Sequence, residues 1–467
     1  MDVIHLNPKS NKQHLPQEIF DCVIDHLHDD TNALRACALV SASWRASAQQ
    51  HLFRRITLGP WKRKTQFFAL RPAPSPCARL VECIRNSGAA ASVAPYIHEL
   101  HLQEGIGART WFEQESVILA ALLRALSNLR RLDISPTVGM HIYWERLPGD
   151  LKRALEGSMK LASLTELKLG GVAFVDFGEV HEVLRKCVFL RVLEVDHLLV
   201  QDESLEELSS ALAEAKYVYS ASDPRKTKGT RDRTPLDVLV IGPRTPTAFV
   251  AFLLDEASPF AVDAVRKLTA SLSGSFPEFA RLLHACTSVE NLELTLMNDV
   301  SLQGYWTLPD NQRFDLSQVP RLKNLKVNID VLQKMDDPLP WLGALFRTGV
   351  DASLPTRLNK VESIWIVYSI YLPAPYMDRS ANVAIFDKWR DIDRILSGES
   401  DSIEAEKQGI IHIDGPYGNL NRVKLDFMLE NPIGFGIAPR FMRELVLESP
   451  GLERKDILRV KAFDTSK

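Results

Sequence analysis

The residues able to do covalent or metal chemistry come first, because their spacing decides whether this chain works by reaction or by contact. His26 and His28 stand two apart at the end of a predicted helix, and His98 and His101 project to opposite faces of a predicted strand. Neither pair brings two ring nitrogens to one point, as a metal site needs. The six cysteines (Cys22, Cys37, Cys77, Cys83, Cys187, Cys286) are scattered with no C-x-x-C pair. They read as reduced thiols serving as small hydrophobes. Gly434-Phe435-Gly436 lacks the third glycine and the strand-turn-helix setting of a dinucleotide loop. G-x-S-x-G, Walker and H-E-x-x-H motifs are missing, and no two carboxylates are spaced as an acid and base pair. The stretch Asp414-Gly415-Pro416-Tyr417-Gly418 is the one place left for an enzyme site. The reading is a chain with no catalytic residue, no cofactor and no metal.

The frame around those residues is an ordinary globular one. The 467 residues are 45% hydrophobic and 25% charged, with a net charge of -3. That composition excludes disordered and collagen-like classes, and the charge argues against general nucleic-acid affinity. The N-terminus, MDVIHLNPKSNKQH, has no apolar core, and the longest apolar runs fall far short of a membrane span. A soluble intracellular protein, cytoplasmic or nuclear or both, is expected.

From about residue 78 one phrase returns: apolar, two polar residues, apolar, one polar residue, apolar. It occurs at 97–102, 129–134, 164–169 and 190–195, and more loosely at 236–241 and 265–270. Further copies lie at 289–294, 322–327 and 361–366. The last two apolar positions share one face of a strand, and the polar residue between them faces the other way. Helices are predicted at 78–85, 113–126, 180–186, 203–215, 276–286 and 384–396, with further strands at 410–413, 422–425 and 444–447. A unit of one strand and one helix cannot bury its own apolar face, so the units must stack. The pattern predicts an irregular leucine-rich-repeat solenoid, with a parallel sheet on the concave side and helices outside. Two inserts break it, basic Ser222 to Pro235 and acidic Gly398 to Glu406; both read as solvated loops, and the alternative for the basic one is a localisation or phosphate-binding patch.

Ahead of the repeats, Leu15 to Leu58 reads as three short helices running into one strand. Pro16 suits a first helical position. Ile19, Val23 and Leu27 recur at steps of four, with Phe20 and Ile24 widening the stripe. Asp29, Asp30 and Thr31 offer a cap for the second helix, and Ser43 offers one for the third. Leu34, Cys37, Ala38 and Ser41 line the second helix; Trp44, Ala48 and Leu52 line the third. This is more apolar surface than three short helices hide. The prolines of Arg71 to Pro76 separate the stretch from the repeats.

Leu15-Pro16-x-Glu18-Ile19, Ile24, Leu27, Leu34, Cys37, Leu39-Val40-Ser41 and Trp44-Arg45, with the tail His51-Leu52-Phe53-x-x-Ile56-x-Leu58, resemble an F-box. The order of F-box, connector and irregular repeats is similar to that of a large family in mushroom-forming fungi. The resemblance implies an N-terminal tail over 1–13, an F-box over 14–58, a connector over 59–77 and a repeat solenoid with a C-terminal cap over 78–467. It also implies a fold that is α/β overall and a non-enzymatic role as substrate-recognition subunit of an SCF-type cullin-RING ubiquitin ligase. A Skp-type adaptor linked to a cullin complex would bind the F-box, and the repeats would bind a target protein. Carried over by position, the adaptor-binding residues are Leu15, Pro16, Ile19, Ile24 and Leu27, with Leu34, Val40 and Trp44 divided between that interface and the module's own core. The alternative is a scaffold that binds the adaptor without turnover of a substrate.

Overall fold

The first apolar residue of each repeated phrase sits two residues ahead of the strand it announces, and that offset explains the architecture. In the computed structural model Ile97 precedes a strand from Glu99, Leu164 one from Glu166 and Val361 one from Ser363. The leading residue is almost fully buried in every copy. In most copies its N–H closes a turn onto the carbonyl three residues back, as from Leu164 to Leu161 (3.1 Å) and Leu322 to Val319 (3.1 Å). It anchors the chain entering the sheet, and the next two apolar residues fill the buried face. A single carbonyl beside the turn then takes N–H groups from two successive residues of the next repeat: His98 from Arg130 and Arg131, Arg191 from Asp237 and Val238, Glu290 from Lys323 and Asn324. Such repeats are joined before their strands begin to pair.

The structure describes residues 16–60, 74–86, 92–105, 110–137, 140–201, 233–272, 276–296, 314, 316–331, 339–347, 360–370, 389–397, 417–429, 446–447 and 449–464. Several expectations lie outside them: Leu15, the helix at 203–215, most of the basic insert, the acidic insert, the strand at 410–413, and Gly434-Phe435-Gly436.

The chain divides into two compact units. The first spans 1–137 and 147–164. Here α1 (Gln17–Asp25), α2 (Thr31–Val40) and α3 (Ala42–Arg54) run into β1 (Arg55–Leu58). The helices α4 (Pro76–Asn86), α5 (Trp111–Gln114), α6 (Ser116–Ala125) and α7 (Gly149–Met159) accompany β2 (Glu99–Glu104) and β3 (Arg131–Pro136). β1, β2 and β3 pair in parallel, with Arg55, Glu99 and Arg131 in one row and Leu58, Leu102 and Ile134 in another. The connector therefore does not hold the opening module apart from the repeats: β1 is hydrogen-bonded to the first repeat strand, and the sheet begins at residue 55. Glu104, 2% exposed at the end of β2, accepts the N–H groups of Trp111 (2.6 Å) and Phe112 (3.0 Å) and so caps α5.

The second unit spans 138–146 and 165–467. Among its described residues, nine strands pair in parallel and in chain order. They are β5 (Glu166–Gly170), β7 (Val192–Asp196), β10 (Val238–Ile241), β12 (Lys267–Leu272), β13 (Asn291–Leu296), β14 (Asn324–Val331), β15 (Ser363–Ile370), β16 (Arg422–Leu429) and β17 (Leu458–Asp464). Helices Phe177–Leu184, Thr247–Leu254, Phe276–Ala285 and Leu339–Arg347 stand between successive strands. The helix predicted at 384–396 is described over 389–397, with Trp389, Ile392 and Leu396 buried. The arrangement is leucine-rich-repeat-like, mixed α/β with a long parallel sheet.

Three features depart from the sequence reading. A second ladder of very short strands, β4 (Ile142–Tyr143), β6 (Val172–Phe174) and β8 (Leu199–Val200), lies beyond the ends of the main ones. A pair of two-residue strands, β9 (Thr234–Pro235) and β11 (Phe260–Ala261), instead precedes the main strands β10 and β12. Gly171, at φ 56°, turns the chain from β5 into β6, a conformation most side chains resist. Val446 and Leu447, expected in a strand, are helical. β17 stands where the repeated phrase predicts no strand.

Candidate functional site

The three N-terminal helices build a core that is real but small. Ile24, Leu34, Cys37 and Ala48 are buried, with Leu27, Ala38, Trp44 and Leu52 packed around them. Asp30 caps α2 by accepting from Asn32 (3.0 Å) and Ala33 (2.9 Å). Ser41, rather than Ser43, caps α3 through the Trp44 N–H (3.3 Å). Pro16 takes the position just before the helix instead of its first residue. The Phe20 and Trp44 rings meet at 5.5 Å. Asp21 accepts hydrogen bonds from Ser47 and Gln17, which hold its carboxyl below the usual carboxylate range.

This core sorts the expected adaptor residues into two groups. Ile24 is fully buried and Leu34 is 2% exposed, so neither presents itself to a partner. Leu27 and Trp44 are half-buried against the same core. The division follows from the width of the apolar stripe on α1. Phe20, Ile24 and Leu27 turn inward, which carries Ile19 and Val23, one helical turn apart, to the outside. Pro16 is exposed, and Ile19 and Val40 are 49% and 66% exposed. Two further residues join them, Val23 at 48% and Leu39 at 85%. Val23 is readable from its four-residue spacing to Ile19, and Leu39 from its place in the Leu39-Val40-Ser41 stretch of the resemblance. Gln17 Nε2 donates to the Ser43 carbonyl (3.0 Å), which brings the start of α1 to the α2–α3 junction where Leu39 and Val40 stand. Pro16, Ile19, Val23, Leu39 and Val40 are thus the apolar side chains that the module leaves exposed.

The second surface is the polar face of the sheet, and its strands treat charge differently. In the first unit Glu99 takes Arg55 (2.7 Å) and Arg54 (3.5 Å), and His101 lies 3.7 Å from Asp133. In the second unit Lys168 pairs with Glu194, Lys323 with Glu290 (2.8 Å) and Lys326 with Glu293 (2.7 Å). The Lys323 hydrogen bond and charge hold the Glu290 carboxyl down, and Glu290 in turn holds Lys323 up. Burial pushes Glu293 up, but hydrogen bonds from Lys326 and Asn328 outweigh it and leave it lowered. Amide and hydroxyl groups extend the pairing: Asn324 donates to Asn291 (2.8 Å), and Ser363 to Asn324 (2.6 Å).

At β15 the pattern changes. Trp365, 36% exposed, has Lys326 Nζ 4.5 Å and Lys424 Nζ 3.8 Å from its ring centroid. Its Nε1 donates to Asp426 Oδ2 (2.9 Å), which also takes Lys424 (2.6 Å). Asp426 is 3% exposed and its Oδ1 has no hydrogen-bond partner among the described residues.

Tyr417 is buried and donates to the Phe346 carbonyl (3.0 Å), and burial pushes its phenol up. Asp414 to Pro416 lie outside the described residues. Burial pushes the Cys77, Cys187 and Cys286 thiols up to about 12. Among the described residues no three histidine, cysteine or acidic side chains gather as metal ligands, and no helix is long and apolar enough to cross a membrane. Of the basic insert, Arg233 is described and donates to the Asp255 carbonyl (3.0 Å).

No family model matches the chain, and no curated protein matches it. Among solved structures it is similar to an internalin from Listeria monocytogenes str. 4b F2365, with 12% identity over 80% of this chain and 96% of that one. The TM-score is 0.26, too low to bear on the role of this chain.

Proposed function

We propose that this chain is a substrate-recognition subunit of an SCF-type ubiquitin ligase. In this reading α1 to α3 are an F-box that docks on a Skp-type adaptor, and the repeats hold a target protein within reach of the cullin-bound conjugating machinery. The chain acts by proximity, raising the effective concentration of a target near an activated ubiquitin carrier; it contributes no catalytic residue, and the setting is the cytoplasm or nucleus. The observation that carries the reading is the exposure of Pro16, Ile19, Val23, Leu39 and Val40 after Ile24 and Leu34 have closed the module's own core. Exposed aliphatic side chains, each worth about 1.5–3 kcal/mol when buried, suffice for a specific contact after the cost of association once a partner covers several of them.

Retention of the full chain on a purified Skp-type adaptor tests this. The Ile19→Asp/Val40→Asp variant should bind about a hundredfold more weakly, the equivalent of burying neither aliphatic. Its thermal unfolding should be unchanged because both side chains are exposed. Equal recovery of variant and parent would remove the docking surface from the proposal.

A further inference from the structure

We infer that the face of β14–β17 is a docking site for an extended acidic peptide segment, centred on Trp365. The inference stands on the second unit alone and does not depend on the adaptor reading. Parallel pairing sets Lys326, Trp365, Lys424 and Arg459 in one row across four strands. Arg422 lies two residues before Lys424, and Lys461 two residues after Arg459, on the same face. Adjacent strands are about 5 Å apart and same-face residues about 7 Å apart along a strand. The cations therefore form a close grid instead of a scattered surface charge.

Their counter-charges are few. Lys326 is taken by Glu293 and Lys424 by Asp426. Arg422, Arg459 and Lys461 are exposed, and among the described residues no carboxylate pairs with them. Earlier on this face Lys168, Lys323 and Lys326 each meet an acid from a neighbouring repeat, whereas three cations with no ion pair among the described residues gather on the last two strands. Asp426 explains how the site is held ready. Its buried carboxylate fixes the Trp365 indole edge and the Lys424 ammonium together, although one of its oxygens goes without a partner. Such an arrangement is costly for folding and is accounted for by the positioning it gives.

The chemistry of the occupant follows from Trp365. Its ring is approached by two lysine nitrogens, at 4.5 and 3.8 Å from the centroid, which leaves no open face for a nucleic-acid base to stack on. An extended peptide meets the site better. Its same-face side chains repeat every 7 Å or so, which matches carboxylates at i and i+2 to the cations along β16 and β17.

Fluorescence anisotropy of the full-length protein with a labelled ten-residue peptide alternating Glu and Val reads this directly. The controls are the same peptide with Gln for Glu and a labelled ten-nucleotide oligodeoxythymidylate. The Glu peptide should bind at least about tenfold more tightly than the Gln peptide, and the margin should shrink as NaCl rises from low to high concentration. Arg459→Ser/Lys461→Ser should remove about tenfold of that affinity with an unchanged melting temperature, since both side chains are exposed and carry no described ion pair. Trp365→Ala should also weaken binding; should it unfold the sheet, the Arg459→Ser/Lys461→Ser result still decides. Equal binding of the Glu and Gln peptides would overturn the inference. So would tighter binding of the oligonucleotide, or undiminished binding by the serine variant.

Discussion

The helices α1–α3 and the strands β14–β17 each leave a surface unsatisfied, and they do so in opposite ways. The helices show aliphatic side chains to water; the strands show cations without counter-charges. Burial of Ile19, Val23, Leu39 and Val40 would be non-directional and nearly indifferent to salt. Contact through Arg422, Arg459 and Lys461 would be screened over about 10 Å at 0.1 M salt. A surface of the first kind suits a lasting association with one partner. The second suits a partner that arrives quickly and leaves, because charge raises on-rates more than it prolongs residence. On the proposed reading, a lasting adaptor at one site and a transient target at the other would divide the labour of a recognition subunit.

The sharpest way to break this comparison is to ask whether the exposed and buried aliphatics of the helical module really differ. Ile24→Ala or Leu34→Ala should lower the unfolding free energy by about 2–5 kcal/mol in urea titrations. Ile19→Ala and Val40→Ala should stay within about 0.5 kcal/mol of the parent. Similar losses for all four would mean that the outward face is a core face. A smaller effect is expected at the other surface. Asp426→Ala strands the Trp365 Nε1 and the Lys424 ammonium, and should cost about 1–3 kcal/mol; a silent substitution would show that Trp365 is not held by this carboxylate. The smallest effect concerns acid. The Glu293 carboxyl is lowered in the folded chain, so its contribution is present above the unfolded carboxylate range and is lost as pH falls through its folded value. Glu293→Gln should therefore destabilise the chain at neutral pH and flatten the acid limb of its stability curve. An acid limb parallel to that of the parent would place the loss elsewhere.

The repeat strands are legible in the sequence because one rule, two apolar residues facing inward around one polar residue facing out, applies at every copy. Their starts are misplaced by two residues, because Leu164, Leu190 and their counterparts look like strand positions although they close turns. The ladder β4, β6 and β8 is not legible: strands of two or three residues are too short for any alternation to register. β17 can be found from Leu458-Arg459-Val460-Lys461, an alternating run without the leading apolar pair of the other copies. The cationic grid is hidden for a different reason. Its parts lie far apart in sequence, from Lys326 to Lys461, and only parallel pairing assembles them. On α1 the chain announces too many apolar residues, and spacing alone does not say which of Ile19 and Ile24 faces out. Only the packing of Phe20 on Trp44 and of Ile24 into the small core decides it.

The pairing of β1 with β2 makes the first three helices inseparable from the first repeat. α3 ends at Arg54 and the strand starts at Arg55 with no intervening loop, while the Arg54 carbonyl accepts the His98 N–H at 3.0 Å. Cutting away residues 16–58 would strip a row of backbone partners from Glu99 to Leu102 and leave β2 as a raw border, ready to pair with another copy of itself. A truncated chain of this kind is an aggregation hazard before it is a test of anything, and the helices cannot be treated as a removable tag. Point substitutions on the outward face of α1 leave that seam closed.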